Sequence, residues 1–343
     1  MKKFLPYLGR RSIFILPQII GVLVITFIII RMVPGDPARL MAGPLVSEEG
    51  LELIRERMGW SGTLPEQFAH YITNVFRGNL GDSWFTGNPV LHDIVQRLPA
   101  TLELIILALL VAFFIMLPIA LKSVSPGGGL RKRIAGRALF GYGMTAGAFP
   151  DFWLALILVF IFYAVLGWAP SPTGPLDIGM SAPMRITGMY LFDSLFTGNW
   201  AAFKSSLTHL VLPVFVLAFV YGGAILKVAI VESNKTQKSE FVNFAKVTAL
   251  RLPTIQSYIT RAVYPSVATM SGVVFGFLIG GAVLVETVFS WGGFGQYAVQ
   301  SVVNSDFAAV QGVVLVSAVL NLIAYIMVDI IYLRVDPRIK SLG

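Results

Sequence analysis

The chain has 343 residues, 56% of them hydrophobic and only 13% charged, with a mean hydropathy of +0.76. Soluble domains carry about a quarter charged residues, so this composition excludes an ordinary soluble domain, and the absence of cysteine removes disulfides and thiolate metal sites. The net charge of +8 is placed as a membrane topology signal, which speaks against nucleic acid as a partner.

A helix crossing a bilayer core needs about 20 consecutive apolar residues. Six such runs are predicted, at 13–33, 102–121, 138–168, 207–231, 267–288 and 308–332, which makes the chain an all-α, polytopic transmembrane domain over 1–343. The opening "MKKFLPYLGRRSIFILPQIIGVLV" is too long an apolar stretch for a cleaved leader, and "IRMVPGDPAR" lacks a small-x-small cleavage site, so it is read as an uncleaved first span. In the connection 34–98, "SEEGLELIRERMGW" predicts a helix with Leu51, Ile54 and Met58 on one stripe. "PEQFAHYITNVF" predicts a second, opened by Pro65. "RGNLGDSWFTGNP" reads as turns, and Pro99 is placed near the start of the second span, where its missing N–H costs nothing. "SPGGGLRKR" at 125–133 neither follows a strand nor ends in Lys-Ser/Thr, so it is read as a flexible loop rather than a phosphate cradle. The third run exceeds what a bilayer needs and is broken at Pro150-Asp151, and the connection 169–206 is rich in Pro, Gly and aromatic residues. Gly272, Gly276, Gly280 and Gly281 thin the fifth span, for close packing or for a gating movement.

Most of the 26 Lys and Arg fall in 1–12, 122–137, 227–261 and 334–343, which places these segments and both termini in the cytoplasm. Glu48, Glu49, Glu52, Glu56 and Glu66 then lie outside. Ionisable groups inside spans are costly and often functional. Here they are Glu103, Asp151, Lys227, Glu286 and Asp329, with His209. Most sit near span ends, Asp151 is placed to cap the half-helix after Pro150, and Glu286 precedes "FSWGGFG". A structural role is expected for each. Buried acids do not repeat across two halves, which weighs against an ion-coupled secondary transporter. HExxH, GxSxG and GxxxxGK[ST] are missing, and three histidines without cysteine make a zinc site improbable. A membrane-embedded enzyme is the other class kept open; catalytic, metal-binding and cofactor-binding residues are not assigned.

The segment "KSEFVNFAKVTALRLPTI", 238–255, is charged yet carries an apolar stripe. On one helix ended by Pro253, Phe241, Phe244, Ala245, Thr248, Ala249 and Leu252 share a face. Such a helix either lies on the membrane, Phe side down, or inserts its ridge into a groove on a soluble partner.

Several stretches together resemble a known family: "VPGDP" after span one, "GNLGDSWFTGNPVLHDIVQRLPATLEL" before span two, and "GAFPDFWLA" in span three. "ETVFSWGGFGQ", "SDFAAVQG" and the final "VDPRI" complete the set. The chain resembles, over most of 8–340, a transmembrane permease (B-type subunit) of the binding-protein-dependent ABC importers, in the dipeptide/oligopeptide/nickel group. The resemblance implies a bacterial inner-membrane protein that pairs with a second, similar permease subunit. It implies two ATP-binding subunits that hold ATP and Mg, an external solute-binding protein, and peptide cargo, with nickel-chelate, glutathione or sugar cargo as alternatives. It also implies that 238–255 is a coupling helix docking on the ATP-hydrolysing subunit through Phe241, Phe244, Ala245, Thr248, Ala249 and Leu252. The family usually has Gly where this chain has Ala249.

Overall fold

The structure is a computed structural model that describes residues 4–32, 38–39, 46–127 and 129–335. "VPGDP", all but the first residue of "VDPRI", and the two ends of the chain lie outside the described residues. Its elements are helices: α1 (Phe4–Met32), α2 (Glu48–Arg57), α3 (Leu64–Phe76), α4 (Val90–Ser123), α5 (Leu130–Ala148) and α6 (Asp151–Val165). There follow α7 (Tyr190–Phe196), α8 (Trp200–Thr236), α9 (Glu240–Val247), α10 (Leu252–Val288), α11 (Phe294–Val303) and α12 (Phe307–Val335).

The all-α, polytopic expectation holds, but six spans are not counted by length and composition. Four helices, α4, α8, α10 and α12, are long and apolar enough to cross a membrane, and α5 with α6 makes a fifth if that bent pair is one span. The described apolar part of α1, Leu16–Met32, is shorter. Span starts also move. Pro99 lies inside α4, because the helix begins at Val90. The basic "LRKR" of the expected loop is the first turn of α5. The break at Pro150-Asp151 is real and sharp, a bend of 102° between α5 and α6. Proline also shapes α4. Its Pro118 cannot donate to the preceding turn, and the five residues Ala112–Met116 just before it wind as a π-helix.

The chain forms two compact units, Met1–Pro99 with Gln296–Leu322, and Ala100–Gly295 with Ile323–Gly343. In the first, Ser47 caps α2 by accepting from the Gly50 N–H at 3.3 Å. Thr63 and Glu66 form a capping box at the start of α3, with Pro65 in its first turn. The turn segment after α3 is pinned near the start of α12. The Ser83 hydroxyl donates to Asp306 Oδ2 at 2.5 Å and the Trp84 indole N–H to the Ser305 carbonyl at 3.3 Å.

In the second unit α8 and α10 pack along each other, and α8 also packs on α5 and α7. Small residues let these backbones meet. A Cβ on Gly143 would lie 2.8 Å from the Gly223 carbonyl oxygen, and one on Gly223 would lie 2.5 Å from the Ala146 Cβ. The buried acids of the loop side are structural. Glu103 accepts the N–H groups of Tyr190 at 3.2 Å and Leu191 at 2.8 Å, at the positive end of α7. Asp193 accepts from the backbone of Ile186, Thr187 and Gly188 and from the Thr187 hydroxyl. Desolvation opposes its charge, but these bonds prevail and hold its carboxyl below the usual range.

Candidate functional site

The segment 238–255 does not form one helix. Thr236 and Ser239 turn the chain after α8, with the Ser239 hydroxyl donating to the Thr236 carbonyl at 2.6 Å, and α9 then runs only from Glu240 to Val247. It stops in a Schellman motif. The Leu250 N–H reaches the Ala245 carbonyl at 3.1 Å, the Ala249 N–H reaches the Lys246 carbonyl at 3.1 Å, and Ala249 has φ 56°. This left-handed backbone is where glycine is usual, and it gives a physical reason for the Gly that the family usually carries there. Pro253, expected to end the helix, instead sits in the first turn of the next one, α10.

The stripe is therefore corrected. Phe241 and Phe244 share the outer face of α9, 51% and 68% exposed, with Val247 85% exposed beside them. Ala245 turns the other way and is buried with Val242. Thr248 and Ala249 belong to the stop, and Leu252 opens α10; all three are exposed. Sequence periodicity shows an apolar repeat but not that a second, smaller pair on the same helix faces inward. Val242 and Ala245 seat α9, which packs on α10. Lys246, off both faces, donates to the Gln237 carbonyl at 3.3 Å, and Gln237 Nε2 donates to the Val124 carbonyl at 2.5 Å. The short helix is thus tied to the ends of α8, α10 and α4 while its two phenyl rings point away.

At the other end of α10 the chain closes on itself. Glu286 accepts a short hydrogen bond from the Thr101 hydroxyl, and Thr101 Oγ1 accepts the Phe294 N–H at 2.8 Å. The Trp291 indole N–H donates to the Ala100 carbonyl at 3.3 Å. Trp291 and Phe294 are each 2% exposed. Glu286 thus ties the "FSWGGFG" turn to its span.

The glycines of α10 are not equivalent. Gly280 has open space where a Cβ would stand, while Gly272 has Val328 at 2.7 Å and so marks a close helix contact. The tightest of these is Gly281, where a Cβ would fall 2.5 Å from the Tyr221 ring and 2.7 Å from Asp151 Oδ2. It makes room for the Tyr221 hydroxyl to donate to Asp151 at 2.7 Å, and Asp151 also takes the Phe152 N–H at 2.7 Å, at the bend. Tyr221 carried no sequence signal. It is found only because α8 brings it to the break.

These features, long apolar helices with one pair sharply bent and a short helix whose apolar face no described residue covers, define a helical membrane protein. The chain belongs to the binding-protein-dependent transport system inner membrane components: the model of that family matches residues 127–341, and the model of its N-terminal part matches residues 3–105. It is a multi-pass inner-membrane permease and not an enzyme in its own right. Among its relatives is a probable D,D-dipeptide transport system permease protein of Escherichia coli K12, 37% identical over 94% of each chain. Another is a di/tripeptide transport system permease protein of Pseudomonas aeruginosa, 32% identical over 98% of this chain and 99% of its own. A dipeptide transport system permease protein of Alkalihalophilus pseudofirmus is 30% identical over 98% and 99%.

Proposed function

We propose that the chain is one permease subunit of an ATP-driven importer that carries di- or oligopeptides across the bacterial inner membrane. The names of the full-length relatives support the cargo. The observation that carries the coupling is the outward pair Phe241 and Phe244 on a helix otherwise held by its own chain. In this reading a second, similar permease subunit completes the pathway. Two ATP-hydrolysing subunits, which hold the ATP and Mg, dock from the cytoplasm, and an external binding protein delivers cargo to the 34–98 and 169–206 connections. ATP binding draws the soluble subunits together. Phe241, Phe244 and Leu252 take up that movement, Ala245 seats the lever, and Thr248 with Ala249 fixes its end. The push then passes into α8 and α10, where Gly272, Gly276 and Gly280 leave α10 slender for a gating movement.

Burying one phenyl ring fully contributes roughly 1.5–3 kcal/mol, so truncating both weakens docking by several kcal/mol. The Phe241→Ala/Phe244→Ala chain is expected to reach the membrane, co-purify with little ATPase partner and import nothing. Equal recovery of the partner with wild type would replace docking by a membrane-surface helix. The orientation is open to a separate test in this cysteine-free chain. Lys238→Cys should resist an impermeant thiol reagent in intact spheroplasts, and labelling there would invert the topology.

A further inference from the structure

The unit formed by Met1–Pro99 and Gln296–Leu322 contains a cavity of about 360 Å³, within the range of small-molecule sites. Three donor groups on its lining have nothing to donate to among the described residues. Arg31 lies over two aromatic rings, its guanidinium carbon 4.2 Å from the Phe27 centroid and 3.9 Å from that of Trp60. Its Nε–H donates to Gln67 Oε1 at 3.1 Å. Its terminal N–H groups, the fork that matches a carboxylate, meet no carboxylate and no other acceptor among the described residues. The Tyr71 hydroxyl and the Gln311 amide nitrogen on the same lining are buried without a partner. Burial, opposed by Arg31, pushes Tyr71 up to about 12, so its proton stays in place as a donor. A buried donor left unmatched costs free energy, and two of them beside a half-buried guanidinium, around one space, ask for an acceptor-rich ligand.

The acids of the lining narrow the class. Asp306 already accepts from Ser83 at 2.5 Å and from the Ala309 N–H at 3.2 Å, while Asp82 is exposed. One guanidinium that meets no carboxylate among the described residues, with two carboxylates on the same lining, disfavours a dianion and suits a molecule that is negative at one end only. We infer that this cavity binds a small zwitterion, seated with its carboxylate on the Arg31, Tyr71 and Gln311 donors. This goes beyond the transport reading, and its test is a binding measurement rather than uptake, so either can fail alone.

The probe is dialanine, titrated calorimetrically onto the purified full-length chain in lipid nanodiscs with no binding protein present, beside dialanine amide. Dialanine is expected to bind saturably, and amidation or Arg31→Gln to weaken it about tenfold, the loss of one charge-assisted contact. Tyr71→Phe, which deletes a single hydroxyl and keeps the ring, should weaken it several-fold while the amide is unaffected. Equal binding of acid and amide overturns the inference, as does dialanine binding that survives both substitutions. Absence of any dialanine binding, with Arg31→Gln instead reducing capture of the external binding protein, also overturns it and gives Arg31 to a protein-borne carboxylate.

Discussion

The two ends of α10 use one backbone device and treat their aromatic residues in opposite ways. The chain enters α10 past a Schellman stop with Ala249 in the left-handed region and leaves it through another with Ser290 there, φ 56° and 51°. After Ser290 the next residue, Trp291, turns inward, and Phe289 and Phe294 follow it into the core. After Ala249 the next residue, Leu250, stays out with Phe241 and Phe244. Both stretches are short and aromatic, so hydrophobicity does not separate them. Polar tethers do: Thr101, the Ala100 carbonyl and Glu286 draw one turn shut. The bonds of the other, Lys246 to Gln237 and Gln237 to Val124, fasten its backbone and leave its rings alone. One end is closed by its own chain, and the other keeps its phenyl rings exposed.

The strongest way to break this contrast is Trp291→Ala. Removing a buried tryptophan typically costs about 3–5 kcal/mol, so thermal unfolding of the purified chain should shift down markedly; an unchanged transition would mean that the closed end is not closed. Glu286 sharpens the point. Glu286→Ala leaves the buried Thr101 hydroxyl without its acceptor and is expected to cost about 1–3 kcal/mol. Glu286→Gln keeps a carbonyl acceptor and should restore most of the stability and transport. A normally assembled Gln variant that loses all transport and regains it at another pH would instead give Glu286 a role in proton coupling. A smaller effect is expected at the open end. A left-handed backbone costs a non-glycine residue about 1–2 kcal/mol, while glycine returns about half to one through its looser unfolded chain. Ala249→Gly should therefore raise the free energy of unfolding by about 0–1.5 kcal/mol, and a lowered stability would deny the strain. Smallest of all, Phe241→Ala/Phe244→Ala should leave the unfolding of the chain alone within about 0.5 kcal/mol, even as it loses its partner.

Much of this was legible in the sequence. The helices α2 and α3, the break at Pro150-Asp151 and the tie of Glu286 to its turn all follow from strong local patterns: an apolar stripe, a proline, an acid beside glycines. What failed was anything that depends on which of two neighbours wins. In the sequence the stripe through Phe241 and Phe244 runs on across Ala249, because an alanine gives no hint of a left-handed stop that a glycine announces. Pro253 reads as the end of one helix, but a proline is equally at home in the first turn of the next, where it sits. Val242 and Ala245, small and unremarkable, decide which face of α9 is inside. Tyr221 meets Asp151 across 70 positions of sequence, a pairing that no local pattern encodes.

The bend between α5 and α6 has a consequence for how the subunit stands among lipids. From Ala138, just past Arg137, to Ala148 the helix rises about 16 Å, roughly half the hydrocarbon thickness. Acyl chains cannot solvate interrupted backbone at that depth. Pro150 brings no N–H to the break, Asp151 takes that of Phe152, and the Phe149 N–H turns back to the Ala146 carbonyl at 3.3 Å. The carbonyls of the broken turn still need water or protein beside them. Oil and water thus sort the faces of this subunit: the side bearing residues 146–152 cannot be its fatty flank, and a bilayer alone suffices to turn that side toward protein or water.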